Sequence, residues 1–213
     1  GAYIAFVDAD DVLDPDMYTY LTGLLKTYKA QIATCSGWYK YDSGVEKRFE
    51  SPRNVVCLNG REALGVLHER CYLRAYVWNK LFRREVLDGI RFSTELSFAE
   101  DYEMFCRVLE QCGRIVCGTK TKYYYMQRKS GVCNCGYDRT YQKAMMMFED
   151  YCRIYSRRYP QYKKLFENHY LFDLMGMAAA MSRNGNYVAA DCRKIKKYVR
   201  QKLPQYLMDK KVS

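Results

Sequence analysis

Hydrophobic and polar positions change period several times along the chain, and each change marks an element. Residues 3–7 (YIAFV) form an unbroken apolar run. A run of that length without alternation predicts a strand covered on both faces, as in a parallel α/β sheet. It stops abruptly at Asp8, Asp10 and Asp11, after which Asp14-Pro15 opens a helix. Met17, Leu21, Leu24, Leu25 and Tyr28 recur at helical spacing and predict an amphipathic helix over residues 15–28. Residues 31–36 and 38–41 read as strands, with Asp42-Ser43-Gly44 as a turn. Asn59 and Glu62 have the spacing of a capping box, which starts a short helix ending near Glu69. Residues 76–82 read as another strand, in which Trp78, Asn79 and Lys80 are placed to line a cleft. Ser97 and Glu100 repeat the capping-box spacing, and the helix behind them buries Phe105, Val108, Leu109 and Cys112. Residues 114–117 and 122–126 are the last predicted strands.

After Gly136 the pattern is helical throughout. Helices are predicted over about residues 138–158, 161–182 and 186–203, separated by Pro160 and by Asn184-Gly185-Asn186. Met145-Met146-Met147 reads as core filling. In the last helix Cys192, Ile195, Val199 and Leu203 make one apolar stripe, and Arg193, Lys194, Lys196, Lys197, Arg200 and Lys202 fill the rest. Such a helix either lies on an anionic membrane surface or packs on the body with its basic face solvated. Charge sharpens the division. Residues 1–138 carry a net charge of +1 and residues 139–213 a net of +10, so a near-neutral body is joined to a basic tail. A basic tail can also serve nucleic acid, but no recognised motif accompanies this one.

With 213 residues, 49% of them hydrophobic, the chain can bury one substantial core with an appendage, and nothing in it suggests disorder. No apolar run reaches the roughly 18 residues needed to span a bilayer. Most of the ten cysteines sit among apolar neighbours, where a free thiol behaves as a small hydrophobe, so a reduced, cytosolic protein is expected. The Cys133-Asn134-Cys135 pair, with His68 and His169 far away in sequence, does not make a zinc set.

The candidate chemistry lies in the acidic cluster. Ligands of open α/β sheets bind beyond the carboxyl ends of strands, where Asp8, Asp10 and Asp11 fall. Crowded carboxylates repel one another unless a cation sits among them, and Mg²⁺ or Mn²⁺ takes one or two carboxylates completed by phosphate. The same acids also serve as turn formers and helix caps. An EF-hand is excluded, because Val12 and Leu13 stand where an oxygen ligand and Gly are required.

Taken together, residues 3–11 (YIAFVDADD), 78–82 (WNKLF), Glu100-Asp101 and the Tyr-rich stretch 123–131 are arranged in an order that resembles the family 2 glycosyltransferases of the GT-A fold. The likeness is strongest to bacterial enzymes that build surface polysaccharides. It implies an α/β fold: the C-terminal part of a GT-A domain, with a Rossmann-like mixed sheet, over residues 1–132, then a basic helical extension over 133–213. It implies an inverting transfer of a sugar from a nucleotide-diphosphate donor to a hydroxyl of a saccharide or lipid-linked acceptor. Asp8 would sit near the donor ribose or the metal, and Asp10 would bind Mg²⁺ or Mn²⁺ bridging the diphosphate. Asp101 would be the general base, with Glu100 positioning it or contacting the acceptor. Trp78, Asn79 and Lys80 would shape the acceptor or donor-sugar pocket, and Arg128, Lys129 and Ser130 would approach the diphosphate. The family's usual opening segments are not seen ahead of residue 3, so the resemblance also implies a truncated chain with impaired activity and an apolar sheet surface open to self-association.

Two other functions fit parts of the chain. Residues 8–12 (DADDV) match the D-x-D-x-[TV] nucleophile motif of haloacid-dehalogenase-type, Mg²⁺-dependent phosphohydrolases, although the later Ser/Thr, Lys and acidic segments of that pattern are not evident. A non-enzymatic interaction module would instead hold its partners through the basic tail.

Overall fold

The structure, a computed structural model, describes residues 1–69, 71–127 and 137–210. Their hydrophobic pattern resolves into seven strands: β1 (Tyr3–Ile4), β2 (Val12–Leu13), β3 (Ile32–Tyr41), β4 (Glu46–Arg48), β5 (Val56–Leu58), β6 (Lys80–Arg83) and β7 (Ile115–Gln127). The helices are α1 (Met17–Thr27), α2 (Gly60–His68), α3 (Glu100–Gln111), α4 (Arg139–Arg158), α5 (Lys163–Asn184) and α6 (Ala189–Lys210). One compact unit gathers the described residues of Gly1–Ser93 and Glu100–Gly131, and the other those of Thr94–Ala99 and Val132–Ser213.

The first unit is a mixed sheet in the order β1-β6-β3-β7-β2, with β4 added to β3 and β5 to β7. Strands β3 and β7 run parallel, while β6 is antiparallel both to β3 and to β1. Hence β1, β3 and β7 share a direction, and Asp8 to Asp11 follow the carboxyl end of β1. Residues 32–41 form one long strand instead of the two short ones expected. The break at Ser36-Gly37 is a register irregularity against β7. A Cβ on Gly37 would come within 2.6 Å of the Phe49 ring and 2.9 Å of the Tyr123 carbonyl oxygen, so the backbone there passes too close for a side chain. The strands predicted at 114–117 and 122–126 likewise merge into β7.

The opening strand differs from expectation. Only Tyr3 and Ile4 pair, antiparallel to Arg83 and Phe82 at the end of the sheet order, and both are half-buried. Phe6 has left the ladder to pack edge-on against Phe82 and Phe92, at ring distances of 5.9 and 5.3 Å. A continuous apolar run here reflects aromatic packing beside the sheet, not a strand covered on both faces.

Helix α1 buries Met17, Leu21, Leu24 and Leu25 against the sheet, as its periodicity predicts. The capping box at α2 is present in full: Asn59 Oδ1 accepts from the Glu62 N–H at 3.0 Å, and Glu62 Oε2 accepts from the Asn59 N–H at 2.8 Å. Gly60 then meets the end of α3 so closely that an added Cβ would lie 1.9 Å from the Leu109 carbonyl oxygen. The second predicted box is not formed: α3 begins at Glu100 itself, preceded by Ala99 at φ 62°. A left-handed non-glycine residue is strained, and strain of this kind gathers at functional sites.

The second unit is helical. Gly185 closes α5 in the left-handed conformation (φ 65°), as the Asn-Gly-Asn turn predicts. Helix α6 runs on past its predicted end at 203 and carries Pro204 inside it. The methionine run divides: Met145 is buried and Met146 is exposed. Of the predicted basic face of α6, Lys194 turns to an ion pair with Glu149 and Lys202 to one with Glu167 at 2.8 Å, whereas Arg193, Lys196, Lys197 and Arg200 are exposed. Phe98 stacks on Tyr141 and Lys143 reaches Glu95, which is why Thr94–Ala99 belongs to this unit. No described helix is long and apolar enough to cross a membrane. The cysteines at positions 35, 57, 71, 106, 112, 117, 152 and 192 are free thiols.

Candidate active site

The acid turn hangs between two very short strands. β1 enters it paired with β6, and β2 leaves it paired with β7, so the turn bridges opposite ends of the sheet order. The Asp11 N–H donates to the Asp8 carbonyl oxygen at 3.2 Å. Asp11 itself faces inward: its carboxylate accepts from the Tyr123 hydroxyl at 2.6 Å and from the Met126 N–H at 2.8 Å. The Tyr123 oxygen in turn lies 3.4 Å from the Asp8 N–H, which donates to it. Asp11 is therefore the clasp that fastens the turn to β7, and Asp8 and Asp10 are the exposed members of the triplet.

Tyr123 is fully buried because an aromatic slab holds it. Trp78 stacks on Tyr123 at 4.2 Å and on Tyr76 at 4.7 Å, with Tyr125 5.3 Å away. The Tyr76 and Tyr39 hydroxyls share a hydrogen bond of 2.9 Å. Thus the WNKLF segment reaches the acid turn through packing: Trp78 sets Tyr123, and Tyr123 sets Asp11 and Asp8.

Asn79 and Lys80 also face the interior rather than an open wall. The Asn79 side chain donates to the Cys35 carbonyl oxygen at 2.7 Å. The Lys80 ammonium has no exposed surface and donates to the Arg74 carbonyl oxygen and to Asn79 Oδ1, each at 2.8 Å, and to the Tyr76 carbonyl oxygen. It lies 4.7 Å from the centre of the Phe105 ring. Burial brings its pKa down to about 7, against the pull of Cys117, Asp101 and Cys35 nearby. Trp78, Asn79 and Lys80, expected along the pocket wall, are in this fold the frame behind it.

The acid pair at the start of α3 shares the electrostatic neighbourhood of the acid turn. The Asp8 carboxyl is pushed up by burial first, then by Asp11, Asp10 and Glu100. Asp101 is half-buried and pushed up to about 7. Burial is the main cause, followed by Glu100; the Val77 N–H opposes it, Asp8 adds to it, and Lys80 draws it down. Residues about ninety positions apart in sequence thus feel one another's charge. A carboxyl poised near neutrality can take a proton in the working pH range.

Whether these residues suit a divalent cation can be judged from their oxygens. Among the described residues no group of three or more His, Cys, Asp or Glu side chains is arranged to hold an ion alone. Asp11 has both carboxylate oxygens engaged. The exposed carboxylates of the turn are those of Asp8 and Asp10, in a field of surplus negative charge. That set does not fit a protein-caged ion; it fits Mg²⁺ or Mn²⁺ arriving with phosphate oxygens, which needs only one or two carboxylates. Arg128, Lys129 and Ser130, expected at the diphosphate, lie outside the described residues. The sequence reading missed Tyr123, Tyr76 and the separate role of Asp11; the Tyr-rich stretch was the available signal.

No protein-family model matches the chain. It is 27% identical over 192 residues to an uncharacterized glycosyltransferase, EpsJ, of Bacillus subtilis, a match covering 87% of this chain and 51% of EpsJ. The chain therefore spans about half the length of the curated relative it matches. Among solved structures it is similar to residues 1–349 of S. aureus TarS in complex with UDP-GlcNAc, with a TM-score of 0.55, 15% identity, and coverage of 96% of this chain and 68% of that one. The mixed α/β architecture is the GT-A fold that the sequence led us to expect. The chain is a homologue of a glycosyltransferase.

Proposed function

We propose that the protein to which this chain belongs transfers a sugar from a nucleotide-diphosphate donor to a hydroxyl acceptor, with inversion at the anomeric carbon. The observation that carries this reading is the placing of Asp101, pushed up to about 7, in the same charged neighbourhood as the acid turn. Similarity to EpsJ and the fold shared with a UDP-GlcNAc complex support a nucleotide-sugar donor. The same fold favours transfer over the phosphohydrolase alternative. The resemblance of the motifs supports a role in bacterial surface-polysaccharide synthesis.

In this reading Asp101 accepts the proton of the acceptor hydroxyl as its oxygen bonds to the anomeric carbon and the bond to the diphosphate breaks. Glu100 keeps Asp101 basic and faces the acceptor. Asp10, with Asp8 beside it, holds the divalent ion at the diphosphate. That ion offsets the negative charge growing on the leaving group. Asn79 and Lys80 position the strand behind the site, and Arg193, Lys196, Lys197 and Arg200 offer a face to an anionic membrane.

Thermal-shift titration tests the donor half. UDP with Mn²⁺ is expected to stabilise the chain, and neither alone should do so to the same extent. Asp10→Ala should remove the Mn²⁺-dependent part and leave the unliganded melting temperature nearly unchanged. A UDP effect indifferent to both Mn²⁺ and Asp10 would refute the metal–diphosphate reading.

A further inference from the structure

The helical unit contains a pocket of about 350 Å³ that takes no part in the chemistry above. Helix α4 contributes Cys152, Arg153, Ser156 and Arg157, α5 contributes Lys163, Glu167 and Tyr170, and α6 contributes Tyr198. Its two acids are already neutralised: Glu149, also on the wall, pairs with Lys194, and Glu167 pairs with Lys202. Arg153 pairs with Asp150 at 2.7 Å. Arg157 and Lys163 are exposed and have no ion-pair partner among the described residues, so the mouth of the pocket carries surplus positive charge. Lys163 also opens α5, whose first turn has neither an acidic residue nor a side-chain cap. The positive end of that helix dipole adds to the field.

The wall carries an independent sign of a ligand. Tyr170 is 4% exposed, and its buried hydroxyl makes no hydrogen bond. The Ser156 hydroxyl on the same wall is buried close to the Cys152 thiol. A buried hydroxyl left unbonded is destabilising, and an acceptor entering the pocket would satisfy it.

We propose that this pocket binds a phosphoryl group, with Arg157 and Lys163 meeting its charge and the Tyr170 hydroxyl donating to one of its oxygens. The group is either the headgroup of a lipid or part of a soluble phosphorylated molecule; the chemistry recognised is the same.

The whole chain is titrated with inorganic phosphate at constant ionic strength, followed by ³¹P line broadening, and is co-sedimented with phosphatidylcholine vesicles with and without phosphatidic acid. Saturable phosphate binding is expected, weakened at least about tenfold by Arg157→Glu combined with Lys163→Glu. Tyr170→Phe should raise the melting temperature of the unliganded chain while weakening phosphate binding, a pair of opposite effects that a purely structural tyrosine would not give. Lys26→Glu, exposed in the last turn of α1 in the other unit, should leave phosphate binding unchanged. Sedimentation only with phosphatidic acid, competed by free phosphate, identifies a lipid headgroup; phosphate binding without sedimentation identifies a soluble ligand. Absence of saturable binding to either probe, or equal weakening by Lys26→Glu, would overturn the proposal.

Discussion

Replacing Asp101 by Asn is expected to stabilise the protein above neutral pH and, on the proposed function, to lower sugar transfer by the whole protein about 10²- to 10⁴-fold. Both effects come from one buried carboxyl. Its folded-state pKa is raised from 3.8 to about 7, so the folded chain holds this proton more tightly than the unfolded chain does. Stability associated with the group is complete below pH 4 and is lost progressively as pH rises from about 4 to 7. At about 1.4 kcal/mol per pH unit, and allowing for partial exposure, the loss by pH 8 is on the order of 2–4 kcal/mol. Asn keeps an oxygen for the Val77 N–H and never ionises, so its advantage should appear at pH 8 and vanish at pH 4. Urea unfolding of both proteins at the two pH values measures this. On the proposed mechanism, in which ionised Asp101 accepts the proton, transfer should rise with pH and level off above 7. Equal stability of the two proteins at pH 8 would show that the carboxyl is not held in its neutral form by the fold.

The second large effect is predicted at Lys80. Its ammonium supplies the donor for the Arg74 and Tyr76 carbonyl oxygens and for Asn79 Oδ1, with no solvent at hand to replace it. Lys80→Ala removes that donor and opens a cavity against Phe105, at a cost of about 3 kcal/mol or more. Lys80→Met keeps the aliphatic stem and should recover only the packing share, leaving a loss of about 2 kcal/mol. The test is the denaturation midpoint of each variant. A methionine variant as stable as the wild type would mean that the three oxygens find water instead.

These two residues also show what a linear reading conveys and what it does not. Asn59 and Glu62 act on backbone three residues away, and the helix they cap was legible because the interaction is local. The heptad-like spacing of Met17, Leu21, Leu24 and Leu25 was legible for the same reason. Asp10 and Asp11 look alike in sequence. They differ only because Tyr123 and Met126, more than a hundred positions away, fold over one of them. Trp78-Asn79-Lys80 has a composition equally suited to a cleft wall or to a buried polar frame; the Cys35 backbone decides in favour of the frame. The strand ends failed for a further reason. Gly37 and the Gly118 region interrupt the alternation that marks a strand, yet the ladder to β7 continues past both.

The shortness of β1 and β2 has a kinetic corollary. Two strands of two residues each and the Asp11 clasp tie residues 8–11 to a sheet whose other members span up to thirteen residues. Such a segment opens locally at far less free-energy cost than the sheet as a whole. Amide protons of residues 10–13 should therefore exchange with deuterium orders of magnitude sooner than those of β3, and UDP with Mn²⁺ should slow them selectively. The acid turn, where the proposed function puts the diphosphate, is by construction more loosely tied than the strands behind it.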